Sequence, residues 1–330
     1  MNSGGEFAAL RAVSGQLGGD PLLVQAAGGN TSIKEGGVMW IKASGTWLRD
    51  AAEKDIFVPL DLKTLTEALG KDSPDCESCT AFVRTGLNPS GLRPSIETSV
   101  HGLMRQKVVL HVHCVNTIAW MILKDAREKV APLMGGLNWA FVPYVRPGLQ
   151  LSRAIRAAIQ PETNVLLLQN HGLAVAGETV AEAAGLLREV VGRLRRSAQS
   201  FPPANLPALQ QSAPEGFHAP ASMNIHGFAL LPWAAPLACN NVYYPDHAVF
   251  LGTQMPHSPQ PGSPVVVLPA QGVFVRNDAK PAVEPMLGCL TDVFSRLSPD
   301  DELRALTLEE IALLLDWDAE KYRQSLSPSA

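Results

Sequence analysis

The sequence has no disulfide framework. Its five cysteines, Cys76, Cys79, Cys114, Cys239 and Cys289, are odd in number and follow no framework spacing. That argues against a stapled secreted scaffold and predicts reduced thiols in a cytoplasm. "CESC" (76–79) lacks the second pair that would complete a zinc knuckle. Excess positive charge is also missing. The net charge is −4, from 27 Lys and Arg against 31 Asp and Glu, so neither nucleic acid nor an anionic membrane is an expected partner. No apolar run is long enough to cross a bilayer. The longest, 108–123, is broken by His111, His113 and Asn116. The start, "MNSGGEFAAL", has neither the basic residues nor the apolar core of a signal peptide, and no leader is expected.

What is present suits a packed globular protein. The 330 residues are 46% hydrophobic and 18% charged, enough for two domains or for one with a large extension. Phe7, Leu10, Val13 and Leu17 recur at helical spacing. "VMWIKASG" (38–45) and "DIFVPLDL" (55–62) read as strands, and 70–94 reads as loop. Ser95 is expected to cap a helix running to about Gln106. A strand follows at 108–115, and a short one is expected at 139–145. Leu151, Ile155 and Ile159 mark a helix. "NVLLLQNHG" (164–172) and "LAVAG" form a strand–turn–strand, and a helix spans 179–198 with a basic end at Arg193, Arg195 and Arg196. Five prolines lie in 200–222, so 1–205 is read as the first domain, 206–222 as a linker and 223–330 as a smaller α/β domain. Its last helix is expected to start at Thr307, with Glu310 completing a capping box.

Chemistry is concentrated in a few short stretches. In "VVLHVHCV" (108–115) a strand places His111 and His113 on one face, with Val112 opposite. Two imidazoles do not make a metal site. His171, just after the strand 164–169, is where a turn can bring a third. Taken alone, each histidine is more commonly a core residue bonded to a backbone carbonyl than a ligand. Glu97, near a helix start, could serve the helix dipole or act as a general base. "AGGNTS" (27–32) and "ASGT" (43–46) are ordinary turn chemistry, or loops that wrap a phosphate.

Together, "GGNTS", "SGT", "RPSIETSVH", "LHVHC" and "QNHG" resemble, in order and spacing, the class II aldolase/adducin family over about residues 5–200. The resemblance implies a class II aldolase-like three-layer α/β/α domain with a mostly antiparallel sheet, plus the smaller C-terminal α/β domain. It implies that His111, His113 and His171 bind a catalytic Zn²⁺, with Mn²⁺ or Co²⁺ as alternatives, and that Glu97 is the base. It also implies a phosphate pocket of Gly29, Asn30, Ser32, Ser44, Gly45 and Ser95. The implied activity is reversible aldol cleavage of a sugar, expected to be a ketose phosphate, through a metal-stabilised enediolate. Family alternatives are an epimerase, a dehydratase, a decarboxylase or an adducin-like scaffold. The expected partners are a small-molecule sugar or sugar phosphate and further copies of the chain, a tetramer by resemblance. Two departures stand out. Ile96 replaces the second hydroxyl of the phosphate motif. No tyrosine lies between His113 and Pro143, where several family aldolases supply an acid, and Tyr144 is the nearest.

The second half also echoes the first. "VLLLQNHGLAVAGET" (165–179) aligns with "VVVLPAQGVFVRNDA" (265–279), with Gln271 at the place of His171. Glutamine is a poor zinc ligand, and 223–264 has no His-x-His. The expectation is a partial, metal-free copy that serves packing, assembly or cover of a site mouth. Generic strand–turn–strand–helix patterning is the alternative.

Overall fold

The structure, a computed structural model, describes residues 3–325. Strand β1 (Asn30–Glu35), β2 (Val38–Lys42), β3 (Phe57–Asp61), β4 (Val108–Val112), β5 (Trp139–Val142), β6 (Val165–Leu168) and β7 (Gly172–Gly177) form one sheet in the order β3-β2-β1-β4-β7-β6-β5. Only the β5–β6 pairing is parallel; the others are antiparallel. Side chains alternate across it. Val108, Leu110 and Val112 join the core under the helices Ser3–Gly19, Val115–Met121 and Val180–Arg193. Val109, Leu166, Leu168, Ala174 and Ala176 pack under Thr98–Leu103 and Leu149–Ala158 on the other face. This is the three-layer α/β fold with a mostly antiparallel sheet. Among the described residues no helix is long and apolar enough to cross a membrane.

The remaining chain builds a second, three-stranded sheet from β8 (Phe217–His218), β9 (Val265–Leu268) and β10 (Gly272–Arg276), in the order β8-β10-β9. Its hairpin repeats the register of β6–β7. Val165 pairs Val175 and Leu168 pairs Gly172; Val265 pairs Val275 and Leu268 pairs Gly272. Both turns hold a left-handed residue at the same place, Asn170 (φ 52°) and Ala270 (φ 63°). The Asn170 amide donates to the Met121 carbonyl and the Ala270 amide to that of Ala229. A helix follows each hairpin, Val180–Arg193 and Val283–Phe294. The segment 206–222, read as linker, carries the helix Leu206–Gln211 and β8, which pairs with β10.

The two halves share one core. Ile118, Val175 and Leu187 belong to the same buried cluster as Phe228, Val275, Leu290 and Phe294. Helix Val283–Phe294 packs on Val115–Met121.

Some boundaries differ from expectation. The helix expected from Ser95 begins at Thr98. The Ser95 hydroxyl accepts from the Glu97 amide and the Ser95 carbonyl from that of Thr98, making a tight turn first. The helix Val180–Arg193 ends before Arg195 and Arg196, and the Arg196 guanidinium instead stacks 4.4 Å over Trp120 and pairs with Asp301. Thr307 and Glu310 do form a capping box, on Leu308–Leu315, but another helix, Asp318–Ser325, follows.

Candidate active site

The site grows from the ends of β4 and β6. His111 lies on β4 opposite Ala174, on the face that carries Val109. His113 lies just past the strand, and both rings turn to one place: their Nε2 atoms are 3.1 Å apart. His171 follows Asn170 in the β6–β7 turn, and its amide closes that turn on the Leu168 carbonyl. The three rings stand 5.0–5.1 Å apart, centroid to centroid.

Glu97, just before helix Thr98–Leu103, completes the group. Its Oε1 is 3.2 Å from His171 Nε2 and its Oε2 is 3.3 Å from His111 Nε2. All four residues are buried, and one donor atom from each lies within 4.8 Å of the others. Asn30 Nδ2 donates to Glu97 Oε2 at 2.7 Å and to Ser95 Oγ at 3.1 Å, which fixes the carboxylate.

Electrostatics suit a cation. Burial resists ionisation of Glu97, but the imidazoles of His111, His171 and His113 and the Asn30 amide outweigh it and hold its carboxyl down at about 2. Burial pushes His111 below the ordinary imidazole value, against the pull of Glu97. Its Nδ1 lies 3.0 Å from the Leu173 carbonyl. A proton there leaves the Nε2 lone pair facing the site. Ligand atoms about 2.0–2.1 Å from a tetrahedral zinc stand roughly 3.3 Å from one another. The separations of 3.1, 3.2 and 3.3 Å therefore fit a divalent cation. Two imidazole nitrogens at 3.1 Å also need a proton or a cation between them.

Beside this cluster is a narrow cleft with about 20 Å³ of free volume. Gly29, Asn30, Ser44, Gly45 and Ser95, all expected there, line it with Glu97, His113 and His171. Gly29 has φ 59°, and a Cβ on it would sit 2.9 Å from the His111 carbonyl oxygen, so the turn must approach β4 as glycine. Ser32, also expected in the pocket, is elsewhere. Its hydroxyl lies 2.7 Å from His101 Nδ1, under helix Thr98–Leu103. It is not among the residues lining the cleft. Tyr144 is buried against the Arg304 guanidinium and is not among the residues lining the cleft.

Sequence reasoning missed three charged members of the lining. Lys42, buried at the end of β2, donates Nζ to the Ala27 carbonyl at 3.0 Å. A lone lysine in an apolar strand two residues before Ser44 was its signal. Asp246, in helix Pro245–Leu251, and Glu320, in helix Asp318–Ser325, reach the cleft from the C-terminal half. No local pattern marks either.

Comparisons with known proteins give the family. The profile of the Class II Aldolase and Adducin N-terminal domain matches residues 9–195, and the chain belongs to the class II aldolase and adducin family. It is 32% identical over 178 residues to "Uncharacterized oxidoreductase YuxG" of Bacillus subtilis, covering 50% of this chain and 26% of that protein. It is 32% identical over 113 residues to the 3-oxo-tetronate 4-phosphate decarboxylase of Escherichia coli O6:H1, covering 31% of this chain and 53% of that enzyme. The chain thus spans about a quarter of the first relative and about half of the second. Among solved structures, the N-terminal class II aldolase domain of a conserved protein from Thermoplasma acidophilum matches at 25% identity and a TM-score of 0.50, over 59% of this chain and 94% of that one.

Proposed function

We propose that the protein is a divalent-metal-dependent carbon–carbon lyase that cleaves a sugar by a reversible aldol reaction. The observation that carries this reading is the convergence of three imidazole Nε2 faces and one carboxylate, all buried, at the wall of a polar cleft. His111, His113 and His171 would hold the cation, zinc in the first instance, with Mn²⁺ or Co²⁺ as alternatives. Such a cation supplies Lewis acidity, stabilising negative charge that develops on substrate oxygens.

The chain's own groups do the rest. Glu97, ionised and aimed by Asn30, takes the proton from the substrate and returns it. Gly29, Asn30, Ser44, Gly45 and Ser95, with Lys42, form the polar end of the cleft and suit a phosphate or the hydroxyls of a sugar. Ile96 and Glu320 also line the cleft, and they oppose a strongly held phosphate. A homo-oligomer belongs to the same reading, and sedimentation tests it.

Wild-type protein should carry close to one divalent ion per chain. His113→Ala should lose it while keeping the fold; equal metal by elemental analysis would sink the assignment. Glu97→Gln should keep metal and lose activity 10²–10⁴-fold, in the range of roughly 10²–10⁴ that general bases contribute. Ketoses and ketose phosphates offered to the zinc-loaded protein should release an aldehyde. Ile96→Ser should tighten binding of a ketose phosphate; no gain would mean that other donors hold it or that the substrate has no phosphate. A decarboxylase is the second reading, favoured by the name of the E. coli relative. Release of CO₂ from a 3-oxo acid phosphate, without an aldehyde, would select it.

A further inference from the structure

Asp246 sits second in the helix Pro245–Leu251, well outside the segment 9–195 that the family profile matches. It is 2% exposed. A carboxylate is costly to bury unless something charged or hydrogen-bonding meets it. Its Oδ2 lies 3.0 Å from Nδ1 of His113, the ring nitrogen opposite the one that faces His111 and the site, as an ion-pair contact that is not aligned as a hydrogen bond. The chain leaves room for this contact. A Cβ on Gly28 would fall 2.8 Å from His113 Nδ1 and 3.0 Å from Asp246 Oδ2. The helix is held from behind, packed against Val283–Phe294 and Leu308–Leu315, with Ala248, Phe250 and Leu251 buried.

We propose that Asp246 is a positioning residue for the metal centre: with the cation bound it accepts a hydrogen bond from Nδ1–H of His113, fixes that tautomer and aims the Nε2 lone pair at the cation. The proposal rests on the metal reading above. His111 uses the Leu173 carbonyl for the same purpose. A carboxylate does more than a carbonyl, because its charge also makes the ring a better donor. The C-terminal half thereby enters the centre without supplying a ligand, and Gln271, standing where the first half has His171, does not matter to that role.

The test is zinc affinity by chelator competition and the absorption of the Co²⁺-loaded protein, for wild type, Asp246→Asn and Asp246→Ala. Losing a carboxylate behind a ligating histidine weakens metal binding roughly 10–100-fold. That loss is expected in both variants, with shifted Co²⁺ bands and an unchanged melting temperature of the metal-free protein. A wild-type zinc affinity and Co²⁺ spectrum in Asp246→Asn would overturn the proposal and leave the metal reading standing. A wild type that binds no zinc would overturn the metal reading itself. Should the variants not fold, ¹⁵N-histidine spectra of metal-free wild type decide. A proton on His113 Nδ1 supports the proposal, and a proton on Nε2 ends it.

Discussion

His101 has no exposure, and its Nδ1 lies 2.7 Å from the Ser32 hydroxyl. Its Nε2 has no hydrogen-bond partner, so protonation would bury an uncompensated charge. Burial lowers it to about 3, with His111 and Lys34 pushing the same way and Glu97 against. In the unfolded chain an imidazole titrates near 6.5. Below that pH the unfolded state takes up a proton that the folded state refuses. The stability is fully present above about 6.5 and is lost as pH falls towards 3, at up to about 1.4 kcal/mol per pH unit. His247, buried and also lowered to about 3, acts in the same direction. Urea unfolding at pH 7, 6, 5 and 4 should give a steeper fall for wild type than for His101→Gln, by close to one proton's worth of slope. Equal slopes would mean that His101 does not titrate between the two states. Ser32, expected to touch phosphate, is thus expected to matter for stability through this ring.

At the scale of elements, the two hairpins make a controlled comparison. Asn170 and Ala270 occupy the same left-handed turn position. Only Asn170 is buried, and only its side chain crosses to the other half. It donates to the Tyr243 and Arg304 carbonyls and accepts from Arg304 Nη1. Asn170→Ala leaves one buried and two part-buried groups unpaired, and since a fully buried one costs about 1–3 kcal/mol and the part-buried ones less, a loss of roughly 2–4 kcal/mol is expected. Ala270→Gly, at an exposed site, trades left-handed strain for chain entropy and should stay within about 1 kcal/mol of wild type. Urea midpoints read both, and equal effects would remove the special role of the Asn170 turn. The hairpins and the His111/His113 pairing were legible in the sequence because strand alternation is local. So was the Thr307–Glu310 capping box. The turn at Ser95 was not, since its geometry depends on Asn30, far away on β1. Asp246 and Glu320 were not, because helix docking decides which polar residue of a helix meets a cleft, and no spacing rule carries that. Ser32 failed for a related reason: proximity to Asn30 in the chain does not put it in the same cavity.

For the whole molecule, the question is whether the halves are separable. The sequence reading placed a linker at 206–222. The core gives the opposite expectation, because Ile118 and Leu187 share one buried cluster with Phe228, Leu290 and Phe294. Each such side chain contributes about 1.5–3 kcal/mol on full burial, so parting the halves would forfeit several at once. Asn170–Arg304 and Arg196–Asp301 add paired groups at the same seam. Such a seam couples the unfolding of both sides. Calorimetry of the metal-free full chain should therefore give one transition. Its enthalpy should be near 230 kcal/mol, from about 0.7 kcal/mol per residue near 60 °C over 330 residues, and should match the van't Hoff value. Added zinc should raise the single peak as a whole, since a ligand that binds only the native state stabilises everything that unfolds with its site. Independent halves would give two peaks, of which zinc moves only one. That result would restore the two-domain division and leave Asp246 reaching His113 across a weak contact.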